Sequence, residues 1–336
     1  MTTTFDKMRI AFTTTFRQNL YKRWITDSVS LLFVPDDSSR SFRVFHYDCN
    51  DGQLLDCEIP EEHRPLVCTM PVQYFGMDKK LIRKEVAILP VIAETSPDRQ
   101  RICWYGVDRD WVSAKTDLSE LTHHSRLNDL ENDFDKLWFS DESVLWFSDS
   151  RRWAEPFCSE TCNSFIEVEV CEHGGAAFST KEVFNLHHGT CVGTTLSGTS
   201  VVVSSTGRKL QLEPDETEVQ YVSRMNLDDE APSARRKKMV MPPGYTVSET
   251  CLAPASERLG WLLGRWDGQK RDQTVLMTDI FGKQIGPIFP IDYDFIQNLE
   301  GKTEKRDANC YDIEWLPDES GLSFICCGHV LSLAIG

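Results

Sequence analysis

Cys158-x3-Cys162-x8-Cys171-x-His173, followed by His187-His188-x2-Cys191, is the richest set of metal-competent side chains in the chain. Zinc takes thiolate and imidazole ligands, and four could be chosen here, with Cys171 and His173 on one face of a strand. No tight Cys-x2-Cys knuckle accompanies them. Cys158, Cys162, Cys171 and His173 are therefore metal candidates on ligand type alone, and they read equally as reduced thiols and a loop histidine within β structure. No metal and no other cofactor is expected. Paired carboxylates such as Asp292/Asp294 and Asp108/Asp110 could serve glycoside chemistry, but acidic residues are abundant and exposed ones are the default. Neither a Gly-x-Ser-x-Gly elbow nor a phosphate-cradling glycine loop occurs, and Gly174-Gly175 suits a hairpin turn.

Two further groups could make a binding surface. Arg235-Arg236-Lys237-Lys238 follows Asp228-Asp229-Glu230 and precedes Pro242-Pro243. It reads as a solvated, mobile loop between two structural units, or as a localisation signal or docking patch for an acidic partner. Of nine tryptophans, Trp138, Trp146, Trp261 and Trp315 fall at repeated positions suited to the core. Trp104, Trp111, Trp153 and Trp266 stand beside Arg or Asp and could be exposed recognition points, or could pack under their own loops.

The elements that must position these residues are mostly strands. The chain has 336 residues, 40% hydrophobic and 26% charged, with 52 Asp+Glu against 36 Lys+Arg, giving a formal net charge of −16. Such a chain repels phosphate backbones, so nucleic-acid binding over a broad face is not expected. No apolar run reaches the ~18 residues of a membrane helix, and residues 1–7 do not read as a signal peptide. A cytoplasmic protein with twelve cysteines kept as thiols is the expectation. Cys326 and Cys327 would alternate across a strand and so face apart. One stretch, 118–130, spaces its leucines as a short helix capped by Asp117 or Ser119. Elsewhere short β-rich runs alternate with turn clusters, as in an all-β sandwich, barrel or propeller.

An internal repeat chooses among these. Residues 258–288 run strand, charged loop, strand, Asp-led glycine turn and Gln-led strand, and residues 28–59 repeat the order. A second element recurs at 137–147, 251–261 and 313–325: an apolar strand, Ser or Pro with an acidic residue, turn residues, then a strand carrying an aromatic. This element resembles the W-S-P-D-G-x-x-L-x-F repeat of TolB-type and WD-repeat-like β-propellers. Glu or Ala replaces the usual Gly, and the middle of the chain is degenerate. The resemblance implies about six irregular four-stranded blades, seven of about 48 residues each being the other count. Blades are expected at 24–59, 86–115, 137–186, 191–226, 245–288 and 311–336. The last has three strands of its own, and residues 8–14 would complete it and close the ring of this single domain, 1–336. Long surface loops are expected at 113–134, 227–243 and 290–310.

Two functions follow from such a fold. The first is a non-catalytic interaction scaffold, monomeric, binding a protein or peptide, with the acidic surface favouring a basic one. The second is an enzyme or a small-ligand or metal binder using the central channel, which requires polar side chains converging from the inner strands of at least three blades.

Overall fold

A computed structural model shows an all-β propeller. It describes residues 5–13, 20–36, 38–75, 81–88, 93–107, 111–124, 134–139, 144–149, 162–169, 178–184, 189–205, 212–226, 229, 235–266, 271–300 and 309–335. Among them are six four-stranded antiparallel sheets and one two-stranded ribbon. Blade 1 comprises Tyr21–Trp24, Val29–Pro35, Phe42–Asp48 and Leu54–Asp56. The ribbon, Cys68–Phe75 with Leu81–Ile88, follows it. Blade 2 is Glu94–Thr95, Arg101–Tyr105, Trp111–Lys115 and Thr122–His124. Blade 3 is Phe134–Phe139, Val144–Asp149, Cys162–Glu169 and Phe178–Phe184. Blade 4 is Gly189–Thr194, Ser200–Ser205, Val219–Met225 and Arg235–Val240. Blade 5 is Thr246–Ala253, Arg258–Trp266, Arg271–Asp279 and Phe289–Pro290. Blade 6 is Cys310–Trp315, Gly321–Cys326 and His329–Ile335, with the N-terminal strand Phe5–Thr13 outermost.

In blades 1 to 5 the four strands pair in chain order as a meander, and in blade 6 three strands do so with the N-terminal strand added. Residues 30–33 of Val29–Pro35, and nearly all of Arg101–Tyr105 and Ser200–Ser205, are buried, as central strands between stacked sheets must be. Tryptophans fill the joints. Trp104 lies in the core between blades 1 and 2, Trp261 between 4 and 5, Trp315 between 5 and 6, and Trp24 between 6 and 1. Two of their indoles also donate to hydroxyls, Trp24 to Ser323 (2.8 Å) and Trp261 to Thr278 (2.9 Å).

Five local expectations are corrected. Residues 118–124 are not helical. Asp117 accepts from Ser119 N (2.8 Å) and closes a turn, Leu118 takes a φ of 65°, and Thr122–His124 is the outer strand of blade 2. The apolar run near 86–92 does not begin blade 2, since Leu81–Ile88 pairs with Cys68–Phe75 instead. The supposed loop 227–243 contains the strand Arg235–Val240. The loop 290–310 contains the helix Tyr293–Glu300, whose first turn is capped by Asp292 accepting from Phe295 N (2.9 Å). Cys326 ends a strand and Cys327 sits in the following turn at φ 54°; their sulfurs are 4.0 Å apart and unlinked.

The N-terminal strand closes the ring. It pairs with His329–Ile335 from Phe5 against Ile335 to Thr13 against His329, and buries Met8 and Phe12. Removing residues 1–13 exposes the edge of His329–Ile335 and uncovers two apolar side chains, each worth about 1.5–3 kcal/mol. The truncated protein should melt well below the full chain in a thermal scan; an unchanged melting temperature would show the closure to be dispensable.

Candidate functional site

The polar side chains that converge belong to the innermost strands. In blade 6 the pairing of Cys310–Trp315 with Gly321–Cys326 slips between Tyr311 and Glu314. Such a bulge re-aims side chains, and Asp312 at its centre takes a φ of 56°, a left-handed conformation that Asp tolerates better than most residues. Asp312 and Glu314 thereby reach blade 1. Asp312 accepts from Lys22 N (2.7 Å) and pairs with Arg23 (2.7 Å), and its own carbonyl accepts from Lys22 Nζ (2.8 Å). Glu314 accepts from Trp24 N (3.1 Å) and pairs with Lys22 (3.5 Å) and Arg99 (3.3 Å). Arg23 continues the chain of bonds into blade 2, donating through Nε to the carbonyl of Ala93.

A similar bulge in blade 5, between Val247 and Glu249, precedes Glu249, whose carboxylate accepts from Ile313 N of blade 6 (3.0 Å). Glu218, which precedes the third strand of blade 4 and not its inner strand, accepts from Val247 N of blade 5 (2.7 Å). The cluster therefore spans four consecutive joints. Its electrostatics follow from burial. Burial opposes the Arg23 charge, but Asp312, Glu314 and Glu94 outweigh it and raise its pKa. Burial, followed by the charge of Asp312, pushes the Glu249 carboxyl up to about 6, against the amides of Ile313 and Asp312 and against Lys22.

A second tier of bonds runs through the turns after the inner strands. Arg99, Glu257 and Glu319 hold φ values of 60°, 53° and 54° at the place where Gly198 has 83°. Each reaches back to the preceding blade. Glu319 accepts from Ala255 N and Ser256 N (2.7 Å each), Glu257 accepts from Ser197 Oγ (2.9 Å), and Arg99 donates to the Trp24 carbonyl (2.6 Å). These bonds offset the cost of a left-handed conformation in a residue with a side chain.

Among the tryptophans proposed for recognition, Trp104 and Trp111 are 0% and 1% exposed. They are interior, Trp104 donating to the carbonyl of His63 (2.7 Å), and they offer no recognition point. Their charged neighbours Arg101 and Lys115 lie at strand ends. Trp266 ends a strand, opposite Arg271, and Trp153 lies outside the described residues. Arg235, Arg236, Lys237 and Lys238 are all exposed, on a strand and not in a loop. Cys158, Cys171, His173, His187 and His188 lie outside the described residues, as do Asp108 and Asp110; Cys162 opens a blade 3 strand. Among the described residues no group of three or more His, Cys, Asp or Glu could hold a metal ion. Burial raises the thiols of Cys49 and Cys57 to about 11 and pushes Cys103 higher still, so these cysteines stay protonated and weakly nucleophilic at neutral pH. No described helix is long and apolar enough to cross a membrane.

The fold thus defines a β-propeller. No family model matches the chain, and no curated protein does. Several solved structures resemble it. A gluconolactonase from Xanthomonas campestris is 13% identical, with 98% of this chain and 89% of that one covered at a TM-score of 0.47. An oligogalacturonate lyase from Vibrio parahaemolyticus is 10% identical, with 99% and 97% covered at 0.49. TolB from Acinetobacter baumannii is 10% identical, with 90% and 78% covered at 0.42.

The inner cluster was not read from the sequence. Its signals were Ser96-Pro97-Asp98, a further copy of the turn element, and the charged pair Lys22-Arg23 inside a strand. Two outcomes test its role. Asp312→Ala leaves Arg23 buried without its carboxylate and should cost about 3–5 kcal/mol in denaturant unfolding. Asp312→Asn keeps an acceptor and tolerates the left-handed φ, and should cost clearly less. Glu249 behaves oppositely. Its folded-state pKa lies above the ordinary 4.5, so the folded state binds the extra proton and stability falls as pH rises from 4.5 through about 6. Glu249→Gln should therefore melt higher than the parent at pH 7.5, and the difference should vanish near pH 4.5. Equal gains at both pH values would refute the assignment.

Proposed function

We propose that the protein is a non-catalytic interaction scaffold of the β-propeller type. The observation that carries this reading is the bonding of the inner-strand charges. Lys22, Arg23, Glu249, Asp312 and Glu314 each bond to an adjoining blade, mostly through its main chain, which makes them joints of a rigid disc. A disc stiffened in this way presents its outer strands and loops at fixed positions, the condition for binding a partner without a large ordering cost.

One observation favours the second reading, a channel that binds or transforms a small molecule. Glu249 titrates near 6 beside Lys22 and Asp312, and these groups come from three blades, a setting suited to acid–base work. The two readings separate in one experiment. Tagged full-length protein and its Glu249→Gln variant are purified from lysate of the source cells, and bound proteins and small molecules are identified and quantified. The scaffold reading expects a stoichiometric protein partner retained equally by both forms and cross-linked to outer strands. A protein recovered alone, carrying a small molecule that the variant loses, would overturn it in favour of the channel.

A further inference from the structure

The outer strand of blade 4 is longer than those of blades 1, 2 and 5, though not than the outer strands of blades 3 and 6, which have seven and nine residues, and it differs from all of them in carrying four consecutive cations. Those of blades 1, 2 and 5 have three, three and two residues, and the last of them, Phe289–Pro290, ends in proline. Short strands and proline are the usual means of blunting a sheet edge. Arg235–Val240 has six residues, stands last in its sheet, and exposes all but Met239.

Its register settles which main-chain groups look outward. Val219 opposes Val240, Gln220 opposes Met239 and Tyr221 opposes Lys238. Just beyond the strand, Met241 N donates to the carbonyl of Glu218 (2.9 Å). Hydrogen-bonded pairs alternate in an antiparallel ladder, so Met239 and Lys237 turn their amides to the neighbouring strand, and Lys238 and Val240 turn theirs away from it. Among the described residues no carboxylate lies within ion-pairing distance of Arg235, Lys237 or Lys238, although the chain carries a net charge of −16. Two apolar side chains flank the strand. Val240 is 60% exposed, and Phe281 is 50% exposed beneath the Arg224 guanidinium, next to the Gly282 turn that abuts Lys237 and Met239.

We infer that this edge is a docking strand for an extended acidic peptide, which adds to blade 4 as a fifth strand. The inference rests on the scaffold reading and names its surface. Four consecutive cations place positive charge on both faces of the edge, since neighbouring side chains alternate. A second copy of the same strand would set like charges opposite one another, so charge opposes self-pairing and admits a strand with consecutive Asp or Glu residues, which place carboxylates on both faces, flanked by apolar residues. Val240 and Phe281 give such a strand an apolar contact on either side.

The probe is a fluorescein-labelled peptide of about ten residues, four consecutive glutamates flanked by valines, titrated against purified full-length protein with anisotropy as readout. Two companion peptides carry N-methyl groups on one or the other alternate set of amides. Binding is expected for the parent peptide, with at least about a tenfold loss for one methylated set and little change for the other, because only one set faces the edge. Lys237→Glu/Lys238→Glu, checked for an unchanged melting temperature, should weaken binding at least about tenfold. Equal sensitivity to both methylated sets would overturn strand addition and leave a charged patch only. Absence of binding by the parent peptide would overturn the inference outright. A partner still recovered from lysate in that case would leave the scaffold reading intact on another surface.

Discussion

A charged side chain of one blade bonded to the main chain of its neighbour is the interaction on which this disc depends. It appears at four consecutive joints: Glu218 to Val247, Glu249 to Ile313, Asp312 and Glu314 to Lys22 and Trp24, and Arg23 to Ala93. The cause lies in the geometry of a propeller. The innermost strand of a blade pairs with its second strand on one side only, and its other edge has no strand to meet. Buried main-chain amides without acceptors would cost about 1–3 kcal/mol each. Carboxylates from the preceding blade supply the acceptors, and inner-strand bulges in blades 5 and 6 accompany the residues that supply them.

This arrangement gives part of the acidic composition a structural place. Inner-strand carboxylates must be ionised to accept well, yet they sit where burial and one another oppose ionisation. Glu249 shows the conflict, raised to about 6 by burial and by Asp312. Lys22 and Arg23 relieve it from blade 1, and Arg23 then transmits the bond to blade 2. Turn residues after the inner strands of blades 5, 6 and 2 repeat the pattern, where Glu257, Glu319 and Arg99 bond backwards to the blade before. Forward bonds and backward bonds from turns together tie blades 1 and 2, 4 and 5, and 5 and 6. A rocking motion of one blade would have to break both sets.

The repeat was legible because its turns and apolar strands are local features. Residues 251–261 and 313–325 read correctly, and the substitution of Glu for Gly in them has an explanation in the bonds that Glu257 and Glu319 make. Blade 2 was misplaced because the apolar run near 86–92 outweighed Ser96-Pro97-Asp98, and because Arg99 stands where Gly would have marked the turn. The sequence leaves Trp104 and Trp111 open between exposed recognition points and packing under their own loops; both faces of their strands are buried, which alternation cannot reveal. The ion cluster joins residues about 290 positions apart, such as Lys22 and Asp312, and only closure of the ring brings them together.

The strand Arg235–Val240 was the least legible element. Four successive cations have neither apolar alternation nor β-propensity, so composition argued for a loop. Its pairing comes instead from Val219–Met225, whose residues Val222 and Met225 are buried and which needs a partner on its outer side. Met239 supplies the one buried anchor of the outer strand, packed against the Gly282 turn of blade 5. Packing therefore anchors the strand through Met239, and Arg236 lies over the Tyr221 ring, while Arg235, Lys237 and Lys238 remain exposed. A sequence selected only to finish a blade would gain from β-branched residues at these positions, and one selected only against aggregation could have been as short as the edges of blades 1, 2 and 5. A long edge that repels its own kind satisfies neither need by itself, but it satisfies the requirements of a surface that must stay open to one oppositely charged strand.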